Sequence, residues 1–495
     1  MIRRALELGL VLVVAALIAV SSPVCAQERP PRPLEAGDVR IPPYEIRTLP
    51  NGLRVVVVSQ HEQPAVSLRL LVRAGSAQDP ADKPGIAAMV GALLDQGTAR
   101  RSSSEIADTI DYVGGALGTG AGADLSSVNV LVLKDSFDLA LDLVSEIVQT
   151  PSFPQEELDR VREQALSAMS VNMQDPDYVA DAVIDRLVYG FHPYGLPGNG
   201  TPQSLPAITR DDLVQFHRTW FAPGNTLLAV VGDVKPEEAF AGVARAFGGW
   251  QPRDTPASEA MELPEPTRRV VLVDRPNAVQ TEIRAGHVAI RRKHPDFMAL
   301  NLATKILGGE GANRLQNVLR SERGLTYGAS ADMDAYKQAG AIIAETDTQT
   351  STTGEALRLV IDEFSRLVRE PVGERELMGA QAYLAGSFPL SIETADDIAL
   401  QVLRLLFFDL DVRELETYRD RVNAVTSADI QRVAREFVKP ARLSVVLVGD
   451  AAQVLPQLKA VGVDNVEVLP ITDLDLTSPS LQRKGAPTRS PVPGR

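Results

Sequence analysis

The chain has one cysteine and five histidines in 495 residues. A single thiol builds no disulfide framework, no cysteine-based zinc ribbon and no iron–sulfur cluster. Positive charge is also scarce: 50 Lys and Arg stand against 64 Asp and Glu, a net charge of −14. Such a surface repels phosphate backbones and argues against nucleic-acid binding. After the amino terminus no apolar run reaches the roughly 18 residues that a membrane-spanning helix needs. What is present is ordinary for a folded globular protein: 44% hydrophobic and 23% charged residues, which excludes a disordered or fibrous chain.

The first residues read as an export signal. Arg3 and Arg4 precede an apolar stretch at 8–20 that is too short to span a bilayer but suits a signal-peptide core. Val24 and Ala26 are small residues at the −3 and −1 positions of a cut after Ala26. Ser22-Pro23-Val24 is a poor lipid-attachment context for Cys25. Residues 1–26 are therefore expected to be removed, and 27–43 form a Pro-rich, charged leader. Cleavage takes away Cys25, and a cysteine-free mature chain tolerates an oxidising compartment. The expectation is a periplasmic or secreted protein with no stable membrane span.

Two halves follow. Thr209, Asp212, Pro223, Gly232 and Asp233 recur as Thr426, Asp429, Pro440, Gly449 and Asp450, each at an offset of 217. Ala140, Leu141, Leu143 and Val144 match Ala356, Leu357, Leu359 and Val360 at 216, and Glu157-Leu158 matches Glu376-Leu377 at 219. Each repeated position has a physical role: Asp or Ser caps a helix, Pro stops it, and an apolar strand then ends in Gly-Asp. The chain thus predicts two copies of one domain, 44–250 and 268–468, joined by a Pro-rich linker at 251–267 and followed by a disordered tail at 469–495. Strands come partly in succession (53–58, 66–72, 128–133), with helices at 85–94, 102–113, 135–149 and 154–173. That order implies an α+β fold, each half a largely antiparallel sheet covered by helices on one face. The glycines at 114, 115, 118, 120 and 122 read as a loop.

The segments "RAGSAQDPADKPGIAAMVGALLDQGT", "YGFHPYGLPGNGTPQSL" and "LGGEGANRLQNVLRSERGLTYG", with the Asn51-Gly52 strand opening and both Gly-Asp repeat ends, resemble the pitrilysin/insulinase metallopeptidases. The resemblance runs from about residue 44 to 451. It implies the duplicated α+β fold and a clam-shell assembly that closes around an unfolded peptide. Active members carry an inverted zinc motif, H-x-x-E-H, on the first long helix, where two His one turn apart bind zinc and the Glu activates water. Matched to that motif, this chain has Ala88 and Ala92 at the His positions and Gly91 at the Glu position; the third ligand's place falls at Ala168. None offers a lone pair to a metal. The histidines themselves (His61, His192, His217, His287 and His294) include no pair four apart. The resemblance also implies that an Arg and a Tyr seven residues apart in the second half reach substrate in a neighbouring active site. Arg320 and Tyr327 have that spacing, with Gly324 suited to the left-handed residue that ends the helix between them.

Other motifs weigh less. Gly308-Gly309-Glu310-Gly311 lacks the Gly-Lys-Ser/Thr of a phosphate loop. His192-Pro193-Tyr194-Gly195 reads as structural, and His217 beside Trp220-Phe221 as a packed side chain. The functional expectation is a zinc-free subunit of an exported heterodimeric metallopeptidase. It binds no cofactor itself. Zinc resides in a homologous partner subunit, and this chain supplies chamber wall, Arg320 and Tyr327 to a peptide substrate. Two alternatives stand beside it: a non-catalytic peptide-binding or scaffold protein of the same fold, and a homodimeric peptide holdase.

Overall fold

The computed structural model describes residues 41, 43–257, 268–309 and 313–483. The expected signal peptide, most of the leader, linker residues 258–267, the turn at 310–312 and the last twelve residues lie outside them.

The first half builds a six-stranded sheet from β1 (Tyr44–Thr48), β2 (Arg54–Ser59), β3 (Ala65–Val72), β4 (Ala116–Ala121), β5 (Ser126–Leu133) and β6 (Thr226–Gly232), in the order β1-β2-β6-β3-β5-β4. The second half repeats it with β7 (Val270–Asp274), β8 (Gln280–Ala289), β9 (Ala329–Ala335), β10 (Gly340–Gln349), β11 (Ser444–Gly449) and β12 (Val466–Pro470), in the order β12-β7-β11-β8-β10-β9. Five strands correspond position by position. The sixth differs: β1 enters from ahead of its sheet and pairs antiparallel with β2, whereas β12 comes from the far end of the chain and pairs parallel with β7. The fold is α+β and duplicated, with most strand pairs antiparallel.

The repeated motif has a local cause. Thr209 and Thr426 are the N-caps of their helices, and Asp212 and Asp429 three residues later return a bond to the cap backbone. This reciprocal arrangement satisfies two otherwise unpaired N–H groups. The caps are therefore the threonines, not the aspartates.

Each sheet is covered on both faces, one more than expected. The inner face of the second sheet (Leu272, Ile283, Ile342, Val445, Leu447) packs on its own helices through Leu300, Leu357, Phe364 and Ile430. Alternate residues point the other way: Val271, Val273, Val446 and Val448 lie under Val179, Val183, Ile184 and Val188 of helix Pro176–Tyr189. That helix belongs to the first half. Reciprocally, helix Ala395–Phe407 of the second half packs on β2 and β6 of the first. The central strands are continuous apolar runs because both faces are buried.

Two further expectations change. The glycine-rich stretch after residue 115 is a strand, not a loop, because β5 supplies a full partner ladder to Ala116–Ala121. The tail is packed through Arg483: β12 joins the sheet, and Leu474, Leu476 and Leu481 are buried against the exchanged helix of the first half. The Arg186 Nε–H donates to the Leu476 carbonyl across that contact at 3.0 Å.

Candidate functional site

The helix that carries the zinc-motif positions is Ile86–Leu93. Its amino end is held by Asp79, whose carboxylate accepts from the N–H groups of Gly85 at 2.7 Å and Ala87 at 2.8 Å. Burial pushes this carboxyl up to about 7 although those N–H bonds pull it down. Ala88 is half-buried and Ala92 exposed, one turn apart on one face. Ala168 is exposed on helix Gln155–Asn172, which packs against the motif helix.

Gly91, the neighbour of Ala88 three residues on, abuts the outer strand. A Cβ built there would lie 2.6 Å from the Gly120 carbonyl carbon and 2.7 Å from the Ala121 nitrogen. These are backbone atoms of β4, so the strand itself must shift to admit a side chain. The close packing that this glycine permits is made within the chain, against β4. At the same offset of 217, Gly308 ends helix Phe297–Gly308, and its absent Cβ would lie 2.6 Å from the Ser330 carbonyl carbon on β9. Both halves therefore seat this helix on their outermost strand through a glycine.

Zinc does not fit this donor set. Three alanines and a glycine have no ligand atom, and a Glu at 91 has no room for its first carbon. Among the described residues no group of three or more His, Cys, Asp and Glu is placed to hold a metal. The histidines are occupied elsewhere: the His217 ring lies 2.8 Å (Nε2) from the Val148 carbonyl, and burial lowers its pKa to about 4. His287 Nε2 accepts from the Lys439 N–H.

Arg320 lies in a π-helical segment, Gln316–Glu322. Gly324, left-handed at φ +64°, closes it by donating to the Arg320 carbonyl at 3.0 Å, while the Leu325 N–H reaches the Leu319 carbonyl at 2.8 Å. Tyr327 precedes β9 by two residues and is 84% exposed. Arg320 is exposed as well, and neither side chain bonds a described residue. The segment that carries them contributes Gln316 and Gly328, but neither Arg320 nor Tyr327, to the wall of a cavity of about 460 Å3 also lined by Asp177, Glu282, Arg284 and Glu345. Burial pushes Glu282 there up to about 7, against the pull of Arg284.

Arg284 is one of a pair that sequence reading missed. It is 2% exposed on β8 and grips the exchanged helix of the first half, pairing with Asp177 and, at 2.7 Å, with Asp181. Arg69 on β3 does the same in reverse: its Nε donates at 2.7 Å to Asp396 at the start of the exchanged helix of the second half. The register of β3 and β8 against β6 and β11 makes the two arginines equivalent. Asp177 and Asp396 stand at the same offset, 219, as Glu157 and Glu376. The offset alone was visible; the reciprocity needed the sheet register.

Comparison with known proteins gives a consistent family. Residues 54–199 match the family model for insulinase (peptidase family M16), and residues 207–384 match the model for the peptidase M16 inactive domain. An uncharacterized zinc protease of Mycobacterium tuberculosis is 28% identical over 400 residues, 79% of this chain and 90% of its own. A probable beta subunit of the mitochondrial-processing peptidase of Arabidopsis thaliana is 23% identical over 85% of this chain and 81% of its own. Among solved structures, a peptidase M16 inactive domain from Pseudomonas fluorescens superposes with a TM-score of 0.77 at 29% identity, covering 82% of this chain and 98% of that one. A Helicobacter pylori protease shares the fold at a TM-score of 0.76 and 21% identity, covering 83% of this chain and all of that one.

Proposed function

Since the chain belongs to the M16 (insulinase) family of peptidases, we propose that it is the zinc-free member of an exported peptidase pair. A homologous partner carries the metal, and hydrolysis of the peptide takes place there. This chain contributes chamber wall and presents Arg320 and Tyr327 to the substrate. One observation carries the reading: the four metal-site positions are Ala88, Gly91, Ala92 and Ala168, while Arg320 and Tyr327 stay exposed and without a partner among the described residues. A guanidinium and a phenol near a scissile carbonyl stabilise the negative charge that develops on its oxygen. Removing one such donor costs about 2.7–4 kcal/mol, roughly 100- to 1000-fold in turnover.

Co-expression with a zinc-motif homologue tests this. Peptidase activity is expected only in the mixture and is lost with a chelator. Arg320→Ala and Tyr327→Phe are expected to lower turnover without changing zinc content. Full activity in both variants would remove the role assigned to the pair. No helix among the described residues is long and apolar enough to cross a membrane.

The alternative, a peptide-binding or scaffold protein, has one observation in its favour. Among the described residues β4 pairs with β5 on one side only, and an open strand edge offers N–H and C=O groups to an extended peptide. Peptide binding by this chain alone, with no activity gained from any zinc-bearing homologue, would favour that reading.

A further inference from the structure

A second cavity lies where the two halves and the packed tail meet. It measures about 520 Å3, within the range of small-molecule sites. Its wall is mainly apolar: Leu166, Met169 and Met173 from the first half face Ile471, Leu474 and Leu476 from the tail.

Arg275 also lines it, just after β7. Its Nη1 is buried and has no hydrogen-bond partner among the described residues. A guanidinium stays charged at any physiological pH, and a buried donor without a partner is costly. Arg483 lines the same space, from an exposed position. The one acidic residue in the wall is Asp475. Its carboxylate already accepts from Thr477, at 3.0 Å from the N–H and 2.6 Å from the hydroxyl. With two arginines against one carboxylate in its wall, the cavity is a cationic spot in a chain whose net charge is −14.

We infer that this cavity binds a monocarboxylate carried on a short apolar chain, with the carboxylate on Arg275 and the apolar body among Met169, Met173 and Leu476. A planar carboxylate matches the guanidinium fork, and the methionines adapt to an irregular apolar body. A medium-chain fatty acid and the carboxyl end of a short apolar peptide share this chemistry. Either would bridge first-half helix, second-half loop and tail, and so would stabilise the folded chain by mass action. The inference does not depend on the peptidase reading.

The test uses the purified full chain with octanoate and N-acetyl-leucyl-leucine as probes, followed by calorimetry and by thermal unfolding. At least one is expected to bind and to raise Tm with concentration. Octanamide and the peptide amide are expected to bind 10-fold more weakly or not at all. Arg275→Gln is expected to lose the carboxylate preference. Ser170→Trp, which fills the cavity from an exposed helix position, is expected to abolish binding even if the Arg275 variant fails to fold. Binding of octanoate alone identifies the fatty acid as the source, and binding of the dipeptide alone identifies a peptide end. Failure of both probes, equal binding of acid and amide, or full affinity in Ser170→Trp would overturn the inference.

Discussion

The two halves hold each other through one device used twice, but not with equal burial. Arg69 and Arg284 occupy equivalent sheet positions, and each grips the helix lent by the other half. Arg69 is partly open to solvent, with Ser67 beside it donating to the same Asp396. Arg284 is almost fully buried. Glu282 stands where Ser67 does, and Asp177, Asp181 and Glu345 complete a carboxylate ring around the guanidinium. One interface is thus a modest ion pair, and the other a buried cation on which several acids depend. Duplication preserved the geometry and let the electrostatics diverge.

Mutation of the two arginines gives the largest contrast. Arg284→Met is expected to destabilise by up to about 3 kcal/mol, because it leaves Glu282, the one largely buried carboxyl of the ring, facing Asp177, Asp181 and Glu345 without a cation. Arg69→Met is expected to cost about 1 kcal/mol or less, as for a solvent-screened pair. Equal losses in urea unfolding would break the distinction.

The glycine pair is expected to behave alike in both halves. Alanine at position 91 or 308 gains about 1 kcal/mol of helix propensity, but its Cβ meets backbone at 2.6 Å at 91 and closer still at 308, where the Ala331 nitrogen is nearest. Overpacking of that kind costs about 1–3 kcal/mol, so the net change is a modest loss at both sites. For the same reason, installing His at 88 and 92 with Glu at 91 is expected to loosen the helix from β4 and to bind no zinc tightly. Tight binding by that triple variant would show that β4 yields.

The smallest effect concerns pH. Asp185 on the exchanged helix is pushed up to about 7 by burial and by the like charges of Asp334 and Asp181. Glu282 is likewise raised to about 7. A carboxyl with a raised folded pKa stabilises below its unfolded value, near 4, and that contribution is lost as pH rises through about 7. Tm is therefore expected to fall between pH 5 and pH 8, with a shallower fall in Asp185→Asn. An unchanged profile in that variant would exonerate Asp185.

Local signals were readable in the sequence, and contacts between halves were not. The Thr-x-x-Asp caps at 209 and 426 are set by neighbours three residues away, so the duplication showed in the text of the chain. Ala88, Gly91 and Ala92 are read off the chain in the same way, as side chains without a donor atom. The helix at 176–189 looks like any amphipathic helix, and nothing local says that it packs on the other half's sheet. The polar tail after 469 suggested disorder because its few leucines are widely spaced; their burial depends on a helix almost 300 residues earlier. The glycines of β4 argue against a strand by propensity, and a Cβ at Gly118 or Gly120 would meet open space, so it is the ladder with β5 that makes this stretch a strand.

The most direct test of the central claim is the zinc content of the purified full chain, measured by elemental analysis after equilibration with excess zinc and dialysis, alongside a peptidase assay. No stoichiometric zinc and no chelator-sensitive cleavage are expected. A full equivalent of zinc per chain, together with cleavage that a chelator abolishes, would contradict it.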